Sequence, residues 1–120
     1  MENENLRHKG TLAEDKAVEY LEHHGYIIEK RNFHFGKYGE IDIIARHEGV
    51  LVFVEVKARW NKNFGEPEYA ITPSKIKALR RVAEGYLYVR TTNDIPCRFD
   101  IIALDYSGES PVLRHMQNAF

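Results

Sequence analysis

The tightest constraint on this chain is a pair of neighbouring apolar runs that have carboxylates set inside them. Glu40-Ile-Asp-Ile-Ile-Ala-Arg46 is rich in isoleucine, and Val50-Leu-Val-Phe-Val-Glu-Val-Lys-Ala58 is rich in valine. β-branched side chains at this density favour extended backbone. The intervening Glu48-Gly49 is a turn signal, so the two runs read as a β-hairpin. Strand side chains alternate between faces. Glu40, Asp42 and Ile44 then share one face of the first strand, and Leu51, Phe53, Glu55 and Lys57 one face of the second. A turn centred on Glu48-Gly49 sets Asp42 opposite Glu55 and Glu40 opposite Lys57, with all four pointing the same way.

Directly opposed carboxylates lie roughly 5 Å apart and repel, more strongly where the surroundings are apolar. A divalent cation offsets that repulsion. Carboxylate oxygens are hard donors, which favours magnesium, or manganese, over zinc. A cation held by Asp42 and Glu55 can polarise a phosphate oxygen and acidify a bound water. The Lys57 ammonium can orient that water or stabilise charge building on phosphorus. Together these are the requirements of phosphodiester hydrolysis. Glu40 fits a supporting role: neutralising Lys57, assisting a second ion, or bonding to the loop before it.

The rest of the chain frames this hairpin. Thr11 to His24 has helical spacing, with Ala13, Ala17 and Leu21 on one stripe and Val18 beside them. Thr11 can cap its start and Gly25 its end, while the polar residues up to His8 are expected to be mobile. Glu14 has two readings. It is either the capping-box partner of Thr11 or a carboxylate heading the apolar stripe and joining Asp42, Glu55 and Lys57. Tyr26 to Asn32 reads as a strand and Phe33 to Gly39 as a loop. Arg59 to Ile71 is a long loop containing Pro67, a candidate substrate contact. Thr72-Pro73 opens a second helix to about Val89, whose stripe is Ile76, Leu79, Ala83 and Tyr86 or Leu87. Cys97 to Leu104 is a strand, Ser107-Gly108 a turn, and Val112 to Met116 a short final strand. This order predicts an α/β domain with a central mixed sheet flanked by helices.

Composition bounds the function classes. The 120 residues fit one domain, 1–120, and 43% hydrophobic with 29% charged residues is ordinary for a globular chain. No apolar run spans a bilayer, and Met1-Glu-Asn-Glu-Asn lacks the basic and apolar regions of a signal peptide, so a cytoplasmic location and no membrane partner are expected. The single cysteine, Cys97, forms no internal disulfide and reads as a small core residue. Net charge is −1, but Lys57, Arg59, Lys62, Lys75, Lys77, Arg80 and Arg81 stand against only Glu66 and Glu68 in their segment. That segment is either a local surface for a polyanion or a solvated face. Asp100 reads as a partner of Arg98 before it reads as an outer carboxylate of the site. Trp60 can stack on a base or pack under the long loop. The six histidines show no ligand spacing.

Gly39-Glu-Ile-Asp-Ile-Ile-Ala45, Leu51-Val-Phe-Val-Glu-Val-Lys57-Ala-Arg59, Phe64-Gly65 and Arg98-Phe-Asp100 together resemble the YraN family of uncharacterised bacterial proteins. Gly10, Ala13-Glu14, Tyr20-Leu21 and Gly25-Tyr26 extend the resemblance over nearly the whole chain. That family is similar to the restriction-endonuclease-like superfamily, with an αβββαβ core, and to archaeal Holliday-junction resolvases. The resemblance implies a site of Glu14, Asp42, Glu55 and Lys57, with Glu14, Asp42 and Glu55 as ligands of Mg2+ or Mn2+. It also implies a DNA partner, branched or structured DNA as substrate, and a homodimer matched to the two symmetric cleavage points of a junction. The alternative is a nucleic-acid-binding or accessory protein that keeps the nuclease fold without turnover.

Overall fold

A computed structural model describes residues 2–61, 71–91 and 94–120, with side chains from residue 9 onward. In chain order the elements are α1 (Glu2–His23), β1 (Ile27–His34), β2 (Glu40–His47), β3 (Val50–Arg59), α2 (Pro73–Arg90), β4 (Cys97–Asp105) and β5 (Val112–Met116). The strands form one mixed sheet in the order β1-β2-β3-β4-β5. β3 and β4 are parallel and every other pair is antiparallel. Parallel neighbours need a crossover, and α2 supplies it. The αβββαβ order of a restriction-endonuclease-like core is therefore present, with β5 added at one edge.

Each helix covers one face of the sheet. Ala13, Ala17 and Leu21 of α1 meet Ile43, Ala45, Val52, Val54, Ile102 and Leu104. On the other side, Leu79, Val82 and Ala83 of α2 meet Ile41, Ile44, Leu51 and Phe53. β2 and β3 are thus buried from both sides, which explains why their sequences are nearly continuous apolar runs. Burial of each such side chain stabilises the fold by about 1.5–3 kcal/mol. Leu79 and Ala83 lie on the expected stripe of α2, whereas Ile76, Tyr86 and Leu87 are half-buried and Val82 and Gly85 complete the buried face.

The turns follow local chemistry. Glu48 and Gly49 both have positive φ (51° and 78°), the requirement of a two-residue type I′ hairpin, and His47 pairs with Val50 across them. Thr72 caps α2 by accepting from the Lys75 N–H, ahead of Pro73. α1 ends in a Schellman arrangement: Tyr26 N–H donates to the Leu21 carbonyl, Gly25 N–H donates to the Glu22 carbonyl, and Gly25 adopts φ 86°.

Several expectations are corrected. α1 begins at Glu2, so Thr11 is an interior residue and cannot cap it. No proline interrupts the polar segment before Thr11, and Gly10 is absorbed into the helix. β1 runs on to His34, because Phe33 and His34 pair with Ile41 and Glu40. Cys97 is exposed, since it starts β4 at the end of the sheet and contributes nothing to the core. Lys62, Phe64-Gly65, Glu66, Pro67 and Glu68 lie outside the described residues.

Two glycine substitutions, one within α1 and one just beyond its end, have opposite expected signs. Gly25→Ala forces a Cβ into the left-handed region and lowers stability by about 1 kcal/mol. Gly10→Ala meets no neighbour within 4 Å and improves the propensity of a helix interior, raising stability by up to about 1 kcal/mol. Urea denaturation measures both. A destabilising Gly10→Ala would contradict a helix that runs through residue 10.

Candidate active site

The site lies where β2 leaves β3. Their ladder pairs His47 with Val50 through to Ile43 with Val54 and stops there. One further step would pair Asp42 with Glu55. Instead, the Val56 N–H donates to Asp42 Oδ2 at 2.8 Å, so a side chain takes a position that a β2 carbonyl would fill. β3 stays paired with β4 as far as Arg59 and Asp105, so β2 is the strand that departs.

The alternation of β2 is interrupted at the same place. Ile41 and Ile44, three residues apart, both pack under α2, while Ile43 and Ala45 pack under α1. The sequence expectation of four polar groups on one face therefore needs correcting. Ile44, Leu51 and Phe53 share the α2 side as expected, and Glu55 follows them there. Asp42 lies at the break and reaches towards both helices. On the α1 side, carboxylate oxygens of Glu14, Glu40 and Asp42 lie within 4.8 Å of one another. On the α2 side, the Glu55 carboxyl is the charged neighbour that acts most strongly on Asp42.

Protein cations touch the rim of this cluster. Arg31 Nη2 is 3.3 Å from Glu14 Oε1 and 2.7 Å from Asp15 Oδ1. Glu14 is thus directed to β1 and to Asp42, and the capping-box reading fails. Lys57 Nζ is 3.5 Å and Lys75 Nζ 3.9 Å from Glu55 Oε2. Glu40 pairs with His34 Nε2 at 2.8 Å, so it does not neutralise Lys57. Arg31 was not singled out from the sequence, and Lys75 was noted there only as part of the basic segment, not as a neighbour of the carboxylates. Arg31 could have been found by noting that β1 must lie beside β2, where it pairs with Ile43 next to Asp42.

Electrostatics singles out Asp42. Burial, followed by the charge and hydrogen bond of Glu55, raises its carboxyl from an ordinary 3.8 to about 7. Burial and the nearby Asp42 also raise Glu14, against the opposing effect of Arg31. Crowded carboxylates of raised proton affinity are the arrangement a divalent cation relieves, and the donors are all hard oxygens. The residues present therefore fit magnesium or manganese, with Asp42 central.

Asp100 belongs to a separate buried network. Its carboxylate accepts from Arg98 Nε at 2.9 Å and the Asn118 N–H at 3.1 Å, and bonds His115 Nε2 at 2.7 Å. Burial would raise this carboxyl, but those bonds hold it below the ordinary range. The structural reading of Asp100 is correct. Trp60 stacks on Tyr106 at 4.2 Å with Lys9 Nζ over its ring.

The sequence model of the uncharacterised protein family UPF0102 matches residues 13–104. The chain belongs to this family. YraN is the same family, so the resemblance noted in the sequence holds. A UPF0102 protein of Geobacter metallireducens is 41% identical over 111 residues, covering 92% of this chain and 90% of the relative. One from a Sulfurihydrogenibium species is 43% identical over 112 residues, covering 93% of each. One from Neisseria gonorrhoeae is 43% identical over 101 residues, covering 83% and 87%. Among the described residues no helix is long and apolar enough to cross a membrane.

The raised Asp42 carboxyl has a consequence for stability. Between 3.8 and about 7 the folded protein holds a proton that the unfolded chain releases, so this contribution is complete at low pH and is lost as pH rises through 7. Asp42→Asn removes it. Without divalent metal, the wild type should lose on the order of 1–2 kcal/mol more than Asp42→Asn between pH 5 and pH 8. Urea midpoints at the two pH values measure the difference; parallel behaviour would remove the assigned proton.

Proposed function

We propose that this protein is a divalent-metal-dependent endonuclease that hydrolyses phosphodiester bonds in DNA, with branched or structured DNA as its substrate. The observation that carries this reading is the opening of the β2–β3 ladder at Asp42, which gathers Glu14, Glu40 and Glu55 around a single carboxylate. A purely structural sheet gains nothing from such a cluster, because opposed carboxylates destabilise it.

Asp42, Glu14 and Glu55 are the expected ligands of Mg2+ or Mn2+, and Glu40 supports the α1 side. When bound, the cation supplies Lewis-acid polarisation of a phosphate oxygen and a more acidic water. Asp42 is fixed for this task by the Val56 N–H, which holds one of its oxygens while the rest of the group faces the cluster. Arg31 orients Glu14 in the same way. Lys57 Nζ stands beside Glu55 on a side chain 25% exposed, where it can hold an attacking water or bear charge developing on a phosphate oxygen. Lys75, at the start of α2, adds a second cation on that side of Glu55.

A second reading has an observation in its favour. Glu14 engages Arg31, and Glu55 engages Lys57 and Lys75, so much of the negative charge is balanced by the protein itself. That fits a nucleic-acid-binding protein that keeps the fold without turnover.

One experiment separates the two. Purified protein is incubated with single-stranded, duplex, flap and four-way-junction DNA, with Mg2+, Mn2+ or EDTA. Nicking should require metal and fall at least a hundredfold in Asp42→Ala, Glu55→Ala and Lys57→Ala, each with a native circular-dichroism spectrum. Binding in EDTA with no cutting of any substrate favours the second reading. Cutting that survives Asp42→Ala removes the proposed site.

A further inference from the structure

Outside the carboxylate cluster, the loop between β1 and β2 and the exposed face of α2 enclose a small open cavity of about 220 Å³. It is lined by Phe35, Tyr38, Arg81, Glu84, Gly85 and Tyr88. Its volume is below the roughly 300 Å³ at which sites for whole small molecules begin, so it suits one ring system. Tyr38 is 39% exposed and Tyr88 81% exposed. Two tyrosine rings open to solvent beside an arginine put flat ring faces and a cation on one patch.

The cavity has a built floor. Gly85 stands in the interior of α2, where glycine costs about 1 kcal/mol relative to alanine. No positive φ requires it. Its reason is Phe35: a Cβ at position 85 would come within 2.3 Å of that ring. The missing side chain lets Phe35 lie flat against the helix, and Tyr38 stacks beside it with planes 14° apart and centroids 6.4 Å apart. The Arg81 guanidinium lies over Tyr38, 5.4 Å from the ring centre. Lys37, exposed in the same loop, adds positive charge.

Its position relative to the carboxylates gives the patch meaning. Tyr38 precedes Glu40 by two residues, so their Cα atoms are at most about 7 Å apart. Exposed rings with an arginine beside them form the platform on which unpaired bases stack, while cations follow the phosphates.

We propose that Tyr38, Tyr88 and Arg81 form a stacking subsite for one unpaired base of a polynucleotide, on the loop that leads into Glu40. Phe35, seated on Gly85, positions Tyr38. Glu84 on the rim can accept a hydrogen bond from an exocyclic amino group. The subsite rests on the nucleic-acid reading of the carboxylate cluster and narrows its substrate to strands with at least one unpaired base. A blunt duplex offers no such base to the cavity.

Binding without turnover tests the subsite separately from catalysis. Fluorescence anisotropy in EDTA compares single-stranded DNA, single-stranded RNA of the same sequence, a duplex with a one-base flap and a blunt duplex. The full-length wild type should prefer the strands with unpaired bases, and Tyr38→Ala and Tyr88→Ala should each weaken that binding about tenfold while leaving the blunt duplex unchanged. Tyr38→Phe should bind as the wild type does, since stacking needs the ring and not the hydroxyl. Tyr88 is 81% exposed, so Tyr88→Ala should keep the wild-type melting temperature; Tyr38→Ala loses contacts with Phe35 and Arg81 and should melt a few degrees lower while remaining folded at the assay temperature. A 2-aminopurine placed at the unpaired position should be quenched by the wild type and much less by Tyr38→Ala. Preference for RNA over DNA would assign the strand chemistry and keep the subsite. Equal binding of blunt and flapped duplexes, no binding of any oligonucleotide, or unchanged affinity in both alanine variants would each overturn it. Cutting that persists unchanged in Tyr38→Ala and Tyr88→Ala would overturn the subsite and leave the nuclease reading intact. Stacking without cutting would do the reverse.

Discussion

The Val56 N–H to Asp42 Oδ2 hydrogen bond is the contact on which the site depends. A central strand normally pairs its backbone along its length, because an unpaired buried N–H costs about as much as a lost hydrogen bond. Here a carboxylate supplies the acceptor, so β2 can leave β3 with that donor still satisfied. The departure makes room for Glu55 on one side of Asp42 and for Glu14 and Glu40 on the other. The same residue closes the end of the ladder and begins the site.

Rigidity comes from the two helices. α1 and α2 bury opposite faces of β2 and β3, leaving Ile43, Ile44, Leu51, Val52 and Val54 with no exposed surface. Residues held so firmly cannot shift to relieve repulsion between the carboxylates beside them. Burial first, and then the repulsion from Glu55, is expressed as proton affinity at Asp42, with Lys57 acting in the opposite direction; Arg31, Lys57 and Lys75 pair with Glu14 and Glu55 around the rim. Each of those cations comes from a different element: β1, β3 and the first turn of α2.

The molecule has a second polar centre with a different character. Asp100 is fully buried but its partners satisfy it: Arg98, His115 and the Asn118 N–H, with Arg98 in turn reaching the Tyr26 hydroxyl at 2.6 Å and Tyr20 bonding His115 at 3.2 Å. Asp100 is held below the ordinary carboxyl range and Asp42 above it. Both are aspartates within apolar strands. Hydrogen-bond donors outnumber acceptors around the first and acceptors crowd the second, which separates a structural carboxylate from a candidate ligand.

By itself, the sequence determined what local chemistry controls. The apolar runs and the Glu48-Gly49 turn set the hairpin and the near-opposition of Asp42 and Glu55, because a two-residue turn leaves no freedom of register. The Thr72-Pro73 start of α2 and the Gly25 end of α1 were legible for the same reason: a cap or a positive φ is a property of a few consecutive residues. Tertiary structure decided the rest. The start of α1 was missed because no local signal marks it, and with it the freeing of Glu14 from a capping role. The break in β2 alternation between Ile41 and Ile44 depends on which helix each side chain meets, and strand periodicity alone cannot report that. Arg31 and Lys75 reach the carboxylates only because β1 lies beside β2 and α2 crosses over β3. Gly85 reads as a weak point of a helix until Phe35, fifty residues earlier, is found lying against it. A strand reports its own faces and turns; the partners those faces meet are set by packing between elements distant in the chain.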